Sequence, residues 1–146
     1  MPRYSGRDVT FDVPENWVDR SITAFAAPAQ PGQAVTPNIV VTRDIVSDDE
    51  AVSTYADHQL VELAKRLEGF NLQERREIRL SGLPAIQLRF TWQGASGTLL
   101  QQQTFVVLGG RVVLTFVVTA LKDEFPQTEP IFTSILANTK FPSVVS

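Results

Sequence analysis

The alternation of apolar and polar side chains divides most of this chain into strands, with one long helix between them. Val9, Phe11 and Val13 alternate with Thr10 and Asp12, the period of two that marks a strand with one buried face. Pro14-Glu15-Asn16 turns the chain, and Trp17 is expected to plug the end of the sheet. Ile22 to Ala26 reads as a short strand. Pro28 to Gln33 is a loop, because Pro and Gly interrupt a ladder, and Asn38 to Ile45 is a third strand.

The period then changes. Val52, Tyr55, Ala56, Gln59, Leu60, Leu63, Ala64 and Leu67 recur at spacings of three and four, which places them on one stripe of a helix from about Glu50 to Glu68. Gln59 is the polar exception on that stripe. Ser47-Asp48-Asp49-Glu50 has the pattern of a capping box, and its acids suit the positive end of the helix dipole. Gly69 stops the helix by accepting a left-handed conformation, and Phe70 can fold back on the last turn.

Beyond it, Leu72, Ile78 and Leu80 oppose Gln73, Arg75, Glu77 and Arg79 on a strand ending at Leu80. Ile86, Leu88, Phe90 and Trp92 alternate with Gln87, Arg89 and Thr91. A Gly94 to Gly97 hairpin leads to a strand from Leu99 to Leu108. Gly109-Gly110 predicts a primed turn, which needs positive φ at both central residues, and Arg111 to Ala120 completes the hairpin. Thr128-Glu129-Pro130 starts a second helix whose buried face is Ile131, Phe132, Ile135 and Leu136. The fold class is therefore α+β: one domain over residues 1–146, with a mostly antiparallel sheet of about six or seven strands and two helices.

The strand from Arg111 to Ala120 is apolar on both faces. Val113, Thr115, Val117 and Thr119 face one way, and Val112, Leu114, Phe116 and Val118 the other. One set packs under the helices. The other needs a cover, supplied either by loops and the second helix or by a partner. Gln101 and Gln103 share a face opposite Gln102. Asn38, Val40 and Thr42 share a face opposite Ile39 and Val41, and the more apolar pair is expected to meet the main helix. The remaining face is small and semi-polar, the kind of surface transmembrane helices use to pack on one another.

Composition narrows the function classes. The net charge of −3 and pI near 5.1 disfavour a phosphate-backbone partner. The densest basic cluster, Arg75, Arg76 and Arg79, is interleaved with Glu74 and Glu77 and reads as a solvated strand face. With no cysteine, disulfides, thiolate zinc sites and a Cys nucleophile are excluded. The segment Met1 to Arg7 has no apolar core or cleavage site, no stretch reaches the ~18 apolar residues of a membrane span, and the expected compartment is the cytoplasm. His58 is the single histidine and reads as an exposed helix residue; Asp48, Asp49 and Glu50 read as helix-start acids. No nucleophile and base constellation, phosphate loop or dinucleotide fingerprint is present, so no catalytic residue, metal or cofactor is expected.

Several motifs in order resemble one family. They are Val13-Pro14 through Trp17 with Asp19-Arg20-Ser21, Val40-Val41-Thr42-Arg43-Asp44, Tyr55 through Gln59-Leu60, Gly69-Phe70, Gly82-Leu83-Pro84-Ala85, and Gln103-Thr104-Phe105. Together they resemble the DcrB-related family and, within it, the Eag chaperones of bacterial type VI secretion. The resemblance implies a PsbP-like α/β/α sandwich and a cytoplasmic homodimer without enzymatic activity. It also implies an apolar groove that shields the N-terminal transmembrane helices of a PAAR or Rhs effector and aids loading onto the VgrG spike. Carried over by position, the client-binding groove is Ile22, Ala24, Asn38, Val40, Thr42, Gln59 and Gln103. Ala24 is smaller than the aliphatic residue the family leads one to expect there, and Thr42 stands where serine is common. Two other readings remain at this point: a DcrB-like structural or envelope-associated protein without an effector client, and a small hydrolase or ligand-binding enzyme, which the missing catalytic constellation disfavours.

Overall fold

The computed structural model describes residues 1–46 and 51–142. Two short strands, β1 (Arg3–Ser5) and β2 (Thr10–Asp12), pair with each other as a separate antiparallel hairpin. The main sheet is built from β3 (Ile22–Ala26), β4 (Asn38–Ile45), β5 (Asn71–Leu80), β6 (Leu83–Gly94), β7 (Gly97–Leu108) and β8 (Val112–Leu121). Their order is β3-β4-β8-β7-β6-β5, with every neighbouring pair antiparallel. Helix α1 (Val52–Arg66) enters between β4 and β5, and α2 (Phe125–Ala137) follows β8.

The two helices cover opposite faces, because alternate residues of the same strands belong to two cores. Ile86, Leu88 and Phe90 of β6 and Phe105 of β7 are buried with Ala56 and Leu63 of α1. Their neighbours Ala85, Val106 and Leu100 are buried with Phe125 and Phe132 of α2, together with Phe116, Val118 and Ile39. This is an α/β/α layering, with each helix offering an apolar stripe to one pleat of the sheet. The α1 stripe follows the predicted spacing in part: Val52, Tyr55, Leu60 and Leu67 flank Ala56 and Leu63, but Ala64, expected on the same stripe, is exposed. Ala51 is the N-cap and makes no side-chain cap bond, while the Ser47 to Glu50 capping box lies outside the described residues.

Several expectations are corrected. Ile39 and Val41 pack toward α2, not α1; local alternation separates the two faces of a strand but does not say which helix each one meets. Trp17 is no plug, since it is 68% exposed beside the β1–β2 hairpin. On β5, a bulge at Gln73 shifts the register, so Leu72 faces Phe90 while Ile78 faces Ala85 on the opposite side of the sheet. The same bulge puts Arg75 on the α1 side, where it pairs with Asp57, and Arg76 on the other, where it bonds Gln87. Helix α2 begins at Phe125, with Pro126 in its first turn, rather than at Thr128. Its inward residues are Phe125 and Phe132, with Leu136 beside them, whereas Ile131 is 60% exposed. The glycine turn is as expected: Gly109 and Gly110 have φ of 59° and 78°.

Polar side chains tie α2 down. Arg89 bonds Gln102 at 2.8 Å, pairs with Glu129 of α2, and places its guanidinium 5.1 Å from the Phe125 ring centre. Gln87, buried next to this group, donates to Thr104 Oγ1 at 3.1 Å while accepting from Arg76. Every buried amide here therefore has a partner, as burial demands.

Candidate client groove beside the main helix

The face that carries α1 is only half covered. Helix α1 packs on β6 and β7, and α2 packs on the other face, so the strip of β8, β4 and β3 beside α1 has no helix over it among the described residues.

The register fixes what lines that strip. Reading across β7, β8, β4 and β3, one row is Phe105, Thr115, Thr42 and Ile22. The next is Gln103, Val117, Val40 and Ala24, and the third is Gln101, Thr119, Asn38 and Ala26. No residue in these rows is charged. The rows end at Asp44, which pairs with Arg20 at 3.5 Å and forms a charged lip. Ile22 is 70% exposed; Val40, Thr42, Asn38 and Val117 are half-buried.

The polar groups of the strip are ordered against one another. Gln103 donates from Nε2 to Gln101 Oε1 at 3.0 Å, and Gln101 donates from Nε2 to Thr119 Oγ1 at 2.9 Å. Asn38 donates to the Thr36 carbonyl at 3.0 Å. An amide ladder held in this way costs little further entropy when a ligand arrives and keeps its remaining hydrogen-bonding groups in fixed positions.

Helix α1 forms one wall. Asp57, on the edge toward β5, pairs with Arg75, while Tyr55 meets the Phe105 ring edge-on at 5.6 Å from the β7 side. Gln59, one turn beyond Tyr55, is half-buried on that same edge, toward the open strip. The structure thus brings Ile22, Ala24, Asn38, Val40, Thr42 and Gln103 onto one contiguous surface with Gln59 at its side. The groove list of the sequence reading omits Gln101, Thr115, Val117 and Thr119. The signal was available, since they alternate in phase with Gln103, but only the β7–β8–β4 register shows that they fall between Gln103 and Val40.

Helices pack at about 8–10 Å between axes, and strands are spaced about 4.8 Å apart. A helix packed beside α1 would therefore run roughly two strands further over, above β8 and β4.

Comparison with known proteins agrees with this architecture. The DcrB family model matches residues 8–138. A protein named Effector EagT6 from Pseudomonas aeruginosa is 32% identical over 130 residues, covering 89% of each chain. A crystal structure of PA94 from Pseudomonas aeruginosa, described as a protein of unknown function and putative regulator, superposes with a TM-score of 0.82 at 27% identity, over 98% of this chain and 99% of that one. The cyanobacterial PsbP protein of Synechocystis shares the fold at a TM-score of 0.54 and 13% identity, over 92% of this chain and 88% of that one. On the family match and the similarity to EagT6, this chain belongs to the DcrB family and is Eag-like within it.

Proposed function

We propose that this chain is a non-catalytic, cytoplasmic chaperone or adaptor for a type VI secretion effector of the PAAR or Rhs kind. It seats an N-terminal transmembrane helix of that effector on the open strip beside α1. It acts as a homodimer and hands the effector to the VgrG spike. The observation that carries the reading is the uncharged strip itself: apolar Ile22, Val40 and Val117 interspersed with the hydrogen-bonded Gln103, Gln101 and Thr119 and with the hydroxyl of Thr42. The similarity to EagT6 supports an effector as the partner.

The physics is that of a temporary bilayer. Each 100 Å² of apolar helix surface left in water costs about 2.5 kcal/mol. The helix already satisfies its own backbone bonds, so it needs an apolar neighbour and a few partners for its polar side chains. Small and amide side chains give both. No reaction is needed, and no step requires a cofactor.

The test is copurification from cells expressing this chain with the PAAR or Rhs effector encoded beside it, either whole or lacking its N-terminal apolar helices. The whole effector is recovered and the truncated one is not. Equal recovery of both would reject the helix as the client, and recovery of neither would favour a DcrB-like protein without an effector.

A further inference from the structure

Strand β5 carries one residue more than its pairing with β6 uses. Leu72 stands opposite Phe90 and Glu74 opposite Arg89, so the bulge falls at Gln73 and every later residue of β5 changes side. Paired without the bulge, Arg75 would stand opposite Gln87 and face α2. With it, Arg75 stands opposite Leu88, which is buried under α1.

There Arg75 holds one turn of the helix. Its Nε and Nη2 lie 3.1 and 3.0 Å from Asp57 Oδ1, and Nη2 donates to the Ser53 carbonyl at 3.5 Å. The far end of the helix is tied toward the same side, where the Gln93 N–H of β6 donates to the Glu68 carbonyl at 2.8 Å. Apolar anchoring of the first half is sparse. Only Ala56 and Leu63 of α1 are buried, and the first of these is a small side chain. A hollow of about 510 Å³ lies between Ala51, Val52 and Ser53 and residues 77–79 and 84–86 of the sheet. Packing alone therefore does not fix where the start of α1 lies.

We propose that Arg75 is a positioning residue for the client site. Carried to the helix side by the bulge, it holds the first half of α1 over β5 and β6 and so keeps the strip of β8, β4 and β3 uncovered. This rests on the reading of that strip as the client's seat. Released from Arg75, the first turns of α1 shift toward β8, by the small sliding that packed helices allow, and cover Val117 and Val40. The driving force is the half-exposed apolar surface of those two residues. The opposing force is one ion pair whose arginine is 30% exposed. Such a pair is a weak restraint, and so is the pull of two valines, so one side chain decides the balance.

The chain has no cysteine, so Val40→Cys introduces a single thiol whose rate of maleimide modification reads how open the strip is, with no client present. Arg75→Glu sets like charges against Asp57 and is expected to slow that rate about threefold. Adding Asp57→Arg reverses the pair and is expected to restore it. Ile131→Cys, on the exposed side of α2, is the control and reacts at one rate in every background. A merely structural role has the opposite sign, because a loosened helix would raise the rate at position 40. In chains that keep Val40, affinity for the effector should fall by the same factor as the thiol rate, since apparent affinity scales with the fraction of molecules whose site is open. An unchanged or faster thiol in Arg75→Glu, or no recovery in the double variant, would overturn the proposal. A slower thiol with unchanged affinity would uphold the clamp and reject the strip as the client's seat, so the two failures are distinct.

Discussion

Gln103 and Gln101, two residues apart on β7, are bonded side chain to side chain at 3.0 Å on the half of the sheet that α1 leaves open. In mid-strand such residues would ordinarily be solvent-facing and independent. Here they form a ladder that ends on Thr119 and lies next to Val117 and Val40. Removing the first member tests whether the ladder serves a client. Gln103→Ala is expected to weaken effector binding by about fivefold, the worth of one net hydrogen bond of about 1 kcal/mol, with the chain still folded and its stability lowered by no more than about that amount through loss of the bond to Gln101. An equal affinity for the variant in a titration would count against a role for the ladder.

A charge in the same row has a larger effect. Val40→Asp puts a carboxylate between Val117 and Ala24, where a seated helix would strip it of water with no cation in the row to pair with. Binding should fall by about 100-fold or more, equivalent to ~3 kcal/mol by the usual conversion. The free protein should still fold, because Val40 is half-exposed without a client. Loss of the folded spectrum would make the binding result uninformative for this variant and shift the weight to Gln103→Ala.

Under α1 the core is conventional and unforgiving. Phe90 is fully buried and stacks against Phe70 with ring centres 5.0 Å apart. Phe90→Ala should cost about 3–5 kcal/mol in urea unfolding. Trp92, on the same face, behaves differently: its buried indole N–H has no acceptor among the described residues. Trp92→Phe removes that unsatisfied donor and should change stability by less than about 1 kcal/mol in either direction. A loss as large as that of Phe90→Ala would show that the N–H is satisfied after all.

Gly69 and Gly82 separate two costs that are usually confounded. Both have positive φ, 66° and 85°. A Cβ on Gly69 would lie 2.8 Å from Gln93 Cγ, whereas one on Gly82 meets nothing within 4 Å. Gly82→Ala should cost about 1 kcal/mol, the conformational term alone. Gly69→Ala should cost more, by the amount needed to move Gln93. Equal melting temperatures for the two variants would show that the Gln93 side chain swings away freely.

Much of this fold was legible because alternation is a local property. The bounds of β4 and the hairpins through Gly94 to Gly97 and Gly109-Gly110 follow from period two and turn chemistry, and the in-phase set of Gln103, Val117 and Val40 follows once the strands are paired. What failed was non-local. The bulge at Gln73 carries no compositional mark, yet it sends Leu72 and Ile78 to opposite faces. Ile39 and Val41 look equally suited to either helix, and only the chain path places them under α2. Strand β1 has three residues, too few for any period to show. The start of α2 was misplaced because Pro126 and Pro130 both fit a first turn, and the buried Phe125 decides for the earlier one. The groove itself is an absence of cover, which no run of residues encodes.

The central claim is that a client helix rests on the strip beside α1, and crosslinking from that strip tests it most directly. A photoreactive residue is placed at Val40 in one protein and at Glu77, on the distant β5 edge, in another, and each is coexpressed with the whole effector. The account predicts that irradiation joins position 40 to the effector's N-terminal apolar helix and leaves position 77 unlinked. Effector captured in full, with crosslinks from position 77 or none from position 40, would contradict it.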